Sequence, residues 1–140
     1  MESKKNEATT ASGKKLIILD TNFLLIPYQF HIDVFSELNY LLDRAHEMIV
    51  PNGVKEELSK LASKKGRAAL AARLALKILE VNKKSIKIVS SNGNVDSWIL
   101  NFAKDNNAII CTNDKELRMR ARKEKLKVIT MKTRTKIDFI

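Results

Sequence analysis

A chain of 140 residues with a formal net charge of +10 has the length of one domain that buries a real core. Its single cysteine excludes a disulfide or zinc framework within the chain, and no apolar run approaches the ~18 residues of a membrane span. With no signal peptide either, the expectation is a soluble, cytoplasmic protein built on aliphatic packing.

Residues 1–13 are small and polar, without periodicity, and read as a disordered tail ahead of one domain over 14–140. Leu16, Ile17, Ile18 and Leu19 form an unbroken apolar run, the pattern of a central parallel strand covered on both faces. Asp20, Thr21 and Asn22 follow at once, and the chain then turns apolar again through Phe23–Ile26. Asp33 caps a helix reaching to about Glu47, and Met48–Val50 make a short second strand stopped by Pro51. Asn52 caps a further element carrying Val54, Leu58 and Leu61.

After the basic link Lys64-Lys65-Gly66, an Ala/Leu-rich helix runs from Arg67 to about Val81, and a third strand covers Ile86–Val89. Asn94 caps a helix over Val95 to about Asp105, with Val95, Ile99, Phe102 and Ala103 facing inward. Ala108–Cys111 is a fourth strand, and Thr112-Asn113-Asp114 opens a basic helix ending near Leu126. Lys127–Thr130 is a fifth strand, and Ile137–Ile140 one more extended piece. Strands alternating with helices predict a parallel α/β sheet with right-handed crossovers.

Strand four repeats strand one, an apolar run closed by an acid, so Asp114 and Asp20 reach the same sheet edge. In open α/β sheets that edge is where ligands bind. At about 100° per residue, Glu57 lies about 60° from Val54 while Glu56 points to water, and Asp96 flanks Ile99 and Ala103. Each acid also has a local use: Asp20, Asp96 and Asp114 suit helix starts, and Glu57 suits a half-wet surface. Four at one edge are harder to assign to capping. Carboxylates sharing a cleft raise one another's pKa unless a cation compensates, and an all-oxygen set without His or Cys selects Mg²⁺ or Mn²⁺. That is the equipment of metal-assisted phosphodiester hydrolysis. Between Lys115 and Lys136 ten basic residues face only Glu116 and Glu124, a net +8 suited to a polyanion such as nucleic acid.

Leu19-Asp20-Thr21-Asn22, Glu57-Leu58, Asp96 ahead of Ile99 and Ala103, and Thr112-Asn113-Asp114 with Leu117 together resemble the PIN-domain ribonucleases, from about Lys14 to Met131. The resemblance implies a three-layer α/β/α fold whose central parallel sheet has about five strands in the order 3-2-1-4-5. It implies Mg²⁺- or Mn²⁺-dependent cleavage of single-stranded RNA, with Asp20, Glu57, Asp96 and Asp114 as the catalytic, metal-binding acids and Asn22, Thr112 and Asn113 in support. Lys115, Arg118, Arg122 and Tyr28, the last read in a loop after Pro27, are the candidate RNA contacts. Stand-alone members include endonucleases that trim ribosomal RNA precursors and toxins of type II toxin–antitoxin pairs. The Thr112–Leu117 run with its basic helix looks more like the ribosomal group. A ribosome-assembly factor, an antitoxin or a second copy of the chain are the further partners this implies. No membrane partner is expected.

His31 and His46 lie outside the acidic positions and read as ordinary polar residues, Trp98 reads as packing, and the four glycines form no phosphate-cradling loop. Two other functions fit the same residues: an RNA-binding adaptor that keeps the acids as structure, and a nuclease directed at DNA. Nothing in the sequence reads a 2′-OH identifiably.

Overall fold

The computed structural model describes residues 13–42 and 45–140, so the tail read from residues 1–13 lies, Gly13 apart, outside the described residues. The central strand β1 (Lys15–Leu19) is buried on both faces, with Ile17, Ile18 and Leu19 fully sequestered. The other strands are β2 (His46–Pro51), β3 (Ile86–Val89), β4 (Ile109–Cys111), β5 (Val128–Thr133) and β6 (Lys136–Phe139). Their order is β3-β2-β1-β4-β5-β6. The first five are parallel, in the expected 3-2-1-4-5 arrangement, and β6 adds an antiparallel edge against β5. The extended piece read at Ile137–Ile140 is this sixth strand, held by the fully buried Ile137.

The helices are α1 (Thr21–Leu24), α2 (Ile26–Phe30), α3 (Val34–Leu41), α4 (Asn52–Ala62), α5 (Arg67–Val81), α6 (Val95–Asn106) and α7 (Lys115–Lys123). α5 and β3 keep the limits their periodicity predicts. α1 and α2 replace the expected loop around Tyr28, because Pro27 stands in the first turn of α2, where its fixed φ favours a helix. α3 stops at Leu41 instead of reaching Glu47: His46 and Glu47 are drawn into β2, paired with Lys15 and Leu16. Ladder pairing with the central strand outweighs the helical spacing there.

α4 is likewise capped by Pro51 and not by Asn52, whose side chain is engaged elsewhere. α7 ends three residues before Leu126, in a Schellman turn. Lys125 is left-handed (φ 61°), and Leu126 N–H donates to the Ala121 carbonyl while Lys125 N–H donates to that of Arg122. Among the described residues no helix is long and apolar enough to cross a membrane.

Candidate active site

The register of the two central strands fixes the site. Leu19 pairs with Cys111, so the residues that follow, Asp20 and Thr112, leave the sheet side by side. Asp20 N–H donates to the Cys111 carbonyl at 3.2 Å, which ties the two exits together. The Asp20 carboxylate is only 4% exposed. Its Oδ1 accepts from Phe23 N–H at 2.7 Å, capping α1, and its Oδ2 accepts from the Thr112 hydroxyl. Thr112 Oγ1 in turn accepts from Asp114 N–H at 2.9 Å, so one buried hydroxyl bridges two of the candidate acids. Asp20 thus caps α1 and also lies in the field of Asp96 and Asp114.

Glu57 and Asp96 arrive through a separate network. Asn52 Oδ1 accepts from the backbone N–H and the hydroxyl of Ser91, at 3.0 and 2.9 Å, and Gly53 N–H donates to Ser91 Oγ at 3.1 Å. A Cβ on Gly53 would stand 2.9 Å from Val95 Cγ2, so only glycine allows the start of α4 to lie this close to the start of α6. Glu57 is more exposed than its border position suggests, but Thr21 at the head of α1 donates its hydroxyl to Glu57 Oε1 and ties it to the Asp20 turn. Asp96 sits half-buried in the first turn of α6.

The electrostatics show that these acids share one field. Burial, reinforced by the charges of Asp96 and Asp114, pushes the Asp20 pKa up to about 7 against the pull of its Thr112 and Phe23 hydrogen bonds. Asp96 is raised too, first by burial and next by Asp114; Glu57 and Glu116 add to the rise and Arg120 opposes it. Burial also holds the Cys111 thiol well above its usual range, so it is an inert core side chain.

Among the described residues no three carboxylate, imidazole or thiol groups stand close enough to hold an ion unaided. What the site offers a cation is an oxygen-only set in which burial and like charge raise the pKa of Asp20 and of Asp96. That chemistry fits a hard ion that keeps part of its water shell, Mg²⁺ or Mn²⁺, rather than zinc or copper.

Of the supporting residues, Thr112 is fully buried, Asn113 is half-exposed and Asn22 is exposed. Of the candidate RNA contacts, Lys115 and Arg122 are exposed on α7, while Arg118 is half-buried and donates from Nη1 to Thr130 Oγ1 at 3.3 Å. Tyr28 packs partly against the core from α2. Trp98 stacks on Phe102 with centroids 5.1 Å apart, in keeping with a packing role. Sequence reasoning missed the Thr21 tether and Arg120, whose charge opposes the rise at Asp96. Its spacing four residues after Glu116 places the two on one face of α7, and both act on Asp96.

Replacing Thr112 by valine keeps the shape and removes the bridge. The Asp20 carboxylate and the Asp114 N–H then lose a buried partner, which costs about 1–3 kcal/mol. Urea unfolding is expected to show that loss, and any activity carried by the acids is expected to drop about 10- to 100-fold, as for groups that orient metal ligands.

A family model described as PIN like domain matches residues 17–134. Ribonuclease VapC4 of Methanocaldococcus jannaschii is 35% identical over 121 residues, covering 83% of this chain and 89% of that protein. Ribonuclease VapC9 of Archaeoglobus fulgidus is 32% identical over 112 residues, covering 79% and 78%. Among solved structures, the PIN domain endonuclease Utp24 superposes with a TM-score of 0.73 at 26% identity, over 89% of this chain and 90% of that one. VapBC2 from Rickettsia felis, solved bound to a DNA fragment from its promoter, shares the fold at a TM-score of 0.57 and 18% identity, over 82% and 98%. With a matched region from β1 to the turn after β5, the chain belongs to the PIN-like domain family, that of the PIN-domain ribonucleases.

Proposed function

We propose that the chain is a divalent-metal-dependent endoribonuclease, hydrolysing RNA phosphodiester bonds with Asp20, Glu57, Asp96 and Asp114 as its catalytic and metal-binding acids. The observation that carries this reading is the buried Asp20, whose ionisation Asp96 and Asp114 oppose, at the ligand-binding edge of the sheet. A carboxylate held in that state costs stability unless a cation takes the place of its proton. Bound Mg²⁺ or Mn²⁺ would lower the pKa of a water and offset charge on the scissile phosphate. The chain itself does the rest: Thr112 orients Asp20, Thr21 holds Glu57, and the cationic face of α7 draws the RNA backbone to the acids. The protein works in the cytoplasm, in keeping with the lack of a membrane-crossing helix among the described residues.

The expected task is ribosomal RNA processing, supported by the Thr112–Leu117 run and the basic helix behind it. The two relatives named as VapC ribonucleases favour a second reading, a toxin paired with an antitoxin. Induced expression separates them: growth arrest relieved by a co-expressed neighbour supports the toxin, and accumulation of unprocessed ribosomal precursor on depletion supports processing. The biochemical test is a comparison of labelled single-stranded RNA with DNA of the same sequence in Mn²⁺. Preferential RNA cleavage is expected; preferential DNA cleavage would replace the substrate.

Because Arg122 is exposed and Arg118 is engaged with Thr130, reversal of Arg122 alone is the cleaner probe of the basic face. Arg122→Glu is expected to weaken RNA binding similarly across sequences and to flatten the slope of log affinity against log salt by about one phosphate contact. An unchanged slope would mean the RNA path lies elsewhere.

A further inference from the structure

We propose that the groove between α2 and the start of α5 is a nucleotide subsite, which takes one unpaired RNA base with its adjoining phosphate beside the acids. The inference rests on the ribonuclease reading and deepens it. The groove encloses about 700 Å³, within the range of small-molecule sites, and is walled by Tyr28, Gln29, Phe30, His31, Arg67 and Asn113. Its position ties it to the reaction, since Asn113 lies between Thr112, which holds Asp20, and Asp114.

Its chemistry is that of a base and a phosphate together. Tyr28 and Phe30 are half-buried, fixed against the core but still open on one side, so a stacked base meets rigid rings at little entropic cost. The Arg134 guanidinium lies 6.0 Å from the Phe30 centroid and steadies that ring. Gln29 and Asn113 supply amide donors and acceptors suited to a base edge. Arg67 is the first residue of a 15-residue helix that has no acid in its first turn and a glycine N-cap with no side chain to satisfy its leading N–H groups. A phosphate there meets a guanidinium and the positive end of the helix together. Among the described residues no carboxylate lines the groove, although acids gather next door. An acidic peptide would satisfy Arg67 but leave the Tyr28 and Phe30 rings without a purpose.

The test scans a single abasic position along a single-stranded RNA substrate, with wild type, Tyr28→Leu and Ala68→Glu. Ala68 also lines the groove from the first turn of α5, where an acid favours the helix, so Ala68→Glu keeps the fold while repelling phosphate. In wild type, one abasic position near the cut is expected to raise KM about 5- to 150-fold, and Tyr28→Leu is expected to raise KM by a similar factor and erase that position's effect. Ala68→Glu is expected to raise KM with an unchanged melting temperature.

Variants with wild-type KM and an unchanged abasic profile would overturn the subsite and leave the ribonuclease reading standing. A loss in Ala68→Glu without any position-dependent abasic effect would also overturn it, reducing the groove to a phosphate attractor. If wild type cleaves no RNA, that reading falls by itself. The subsite is then judged by fluorescence anisotropy of the same RNAs in EDTA: weaker binding by both variants supports it, and unaltered binding rejects it.

Discussion

Asp20→Asn is expected to abolish RNA cleavage, by about a thousandfold or more, while leaving the metal-free fold as stable as wild type or more so. Asparagine is as good an N-cap as aspartate, so Phe23 N–H keeps its acceptor, and its amide still reaches the Thr112 hydroxyl as a donor. What disappears is a carboxyl group whose ionisation burial, Asp96 and Asp114 oppose. Thermal melts in EDTA and in Mn²⁺ separate the contributions. Wild type is expected to gain stability from Mn²⁺ by mass action and the variant to gain little. A variant that melts far below wild type in EDTA would reassign Asp20 to capping alone.

The second large effect concerns pH. The folded chain holds the Asp20 proton up to about pH 7, whereas the unfolded chain releases it near the ordinary 3.8. Between those values the folded state binds more protons, so metal-free stability falls as pH rises, and the penalty is complete above about pH 7. Asp96 shifts in the same direction and adds to the fall. The expected loss between about pH 4 and pH 8 is on the order of a few kcal/mol, read as a falling urea midpoint in EDTA. Mn²⁺ at pH 8 is expected to reverse it, because the cation selects the ionised carboxylates, and Asp20→Asn is expected to flatten the curve. A metal-free midpoint that rises steadily over this range would mean that Asp20 ionises without resistance.

The elements that the sequence places well are those whose signals are local. β1 reads from four consecutive apolar residues, and α5 and β3 from clean periods bounded by Gly66 and by the Lys83-Lys84 turn. Misplaced elements were decided by distant partners. His46 and Glu47 continue a helical pattern, yet they pair with Lys15 and Leu16 from thirty-one residues earlier. The run Phe23–Ile26 has no usable period because it covers two helices of four and five residues joined by a bend.

The site shows the same division. That Asp20 and Asp114 share an edge follows from two strands with one pattern, and Asp96 from a helix start after a strand. The hydroxyl bridge from Thr112 spans 92 residues, and the tether from Thr21 to Glu57 spans 36. Neither leaves a mark on the local sequence. Arg120 is hidden differently: in a stretch as basic as α7 every cation looks alike until the fold turns one of them toward Asp96.

The central claim is that the acids act through a bound divalent cation on RNA. The direct measurement is the initial rate of cleavage of a labelled single-stranded RNA by the metal-stripped protein as Mn²⁺ is titrated in, followed by excess EDTA. The account predicts no cleavage without metal, a saturable rise with Mn²⁺ or Mg²⁺ and a return to background on chelation. Cleavage at full rate in EDTA, or tight RNA binding with no cleavage at any metal concentration, would contradict it.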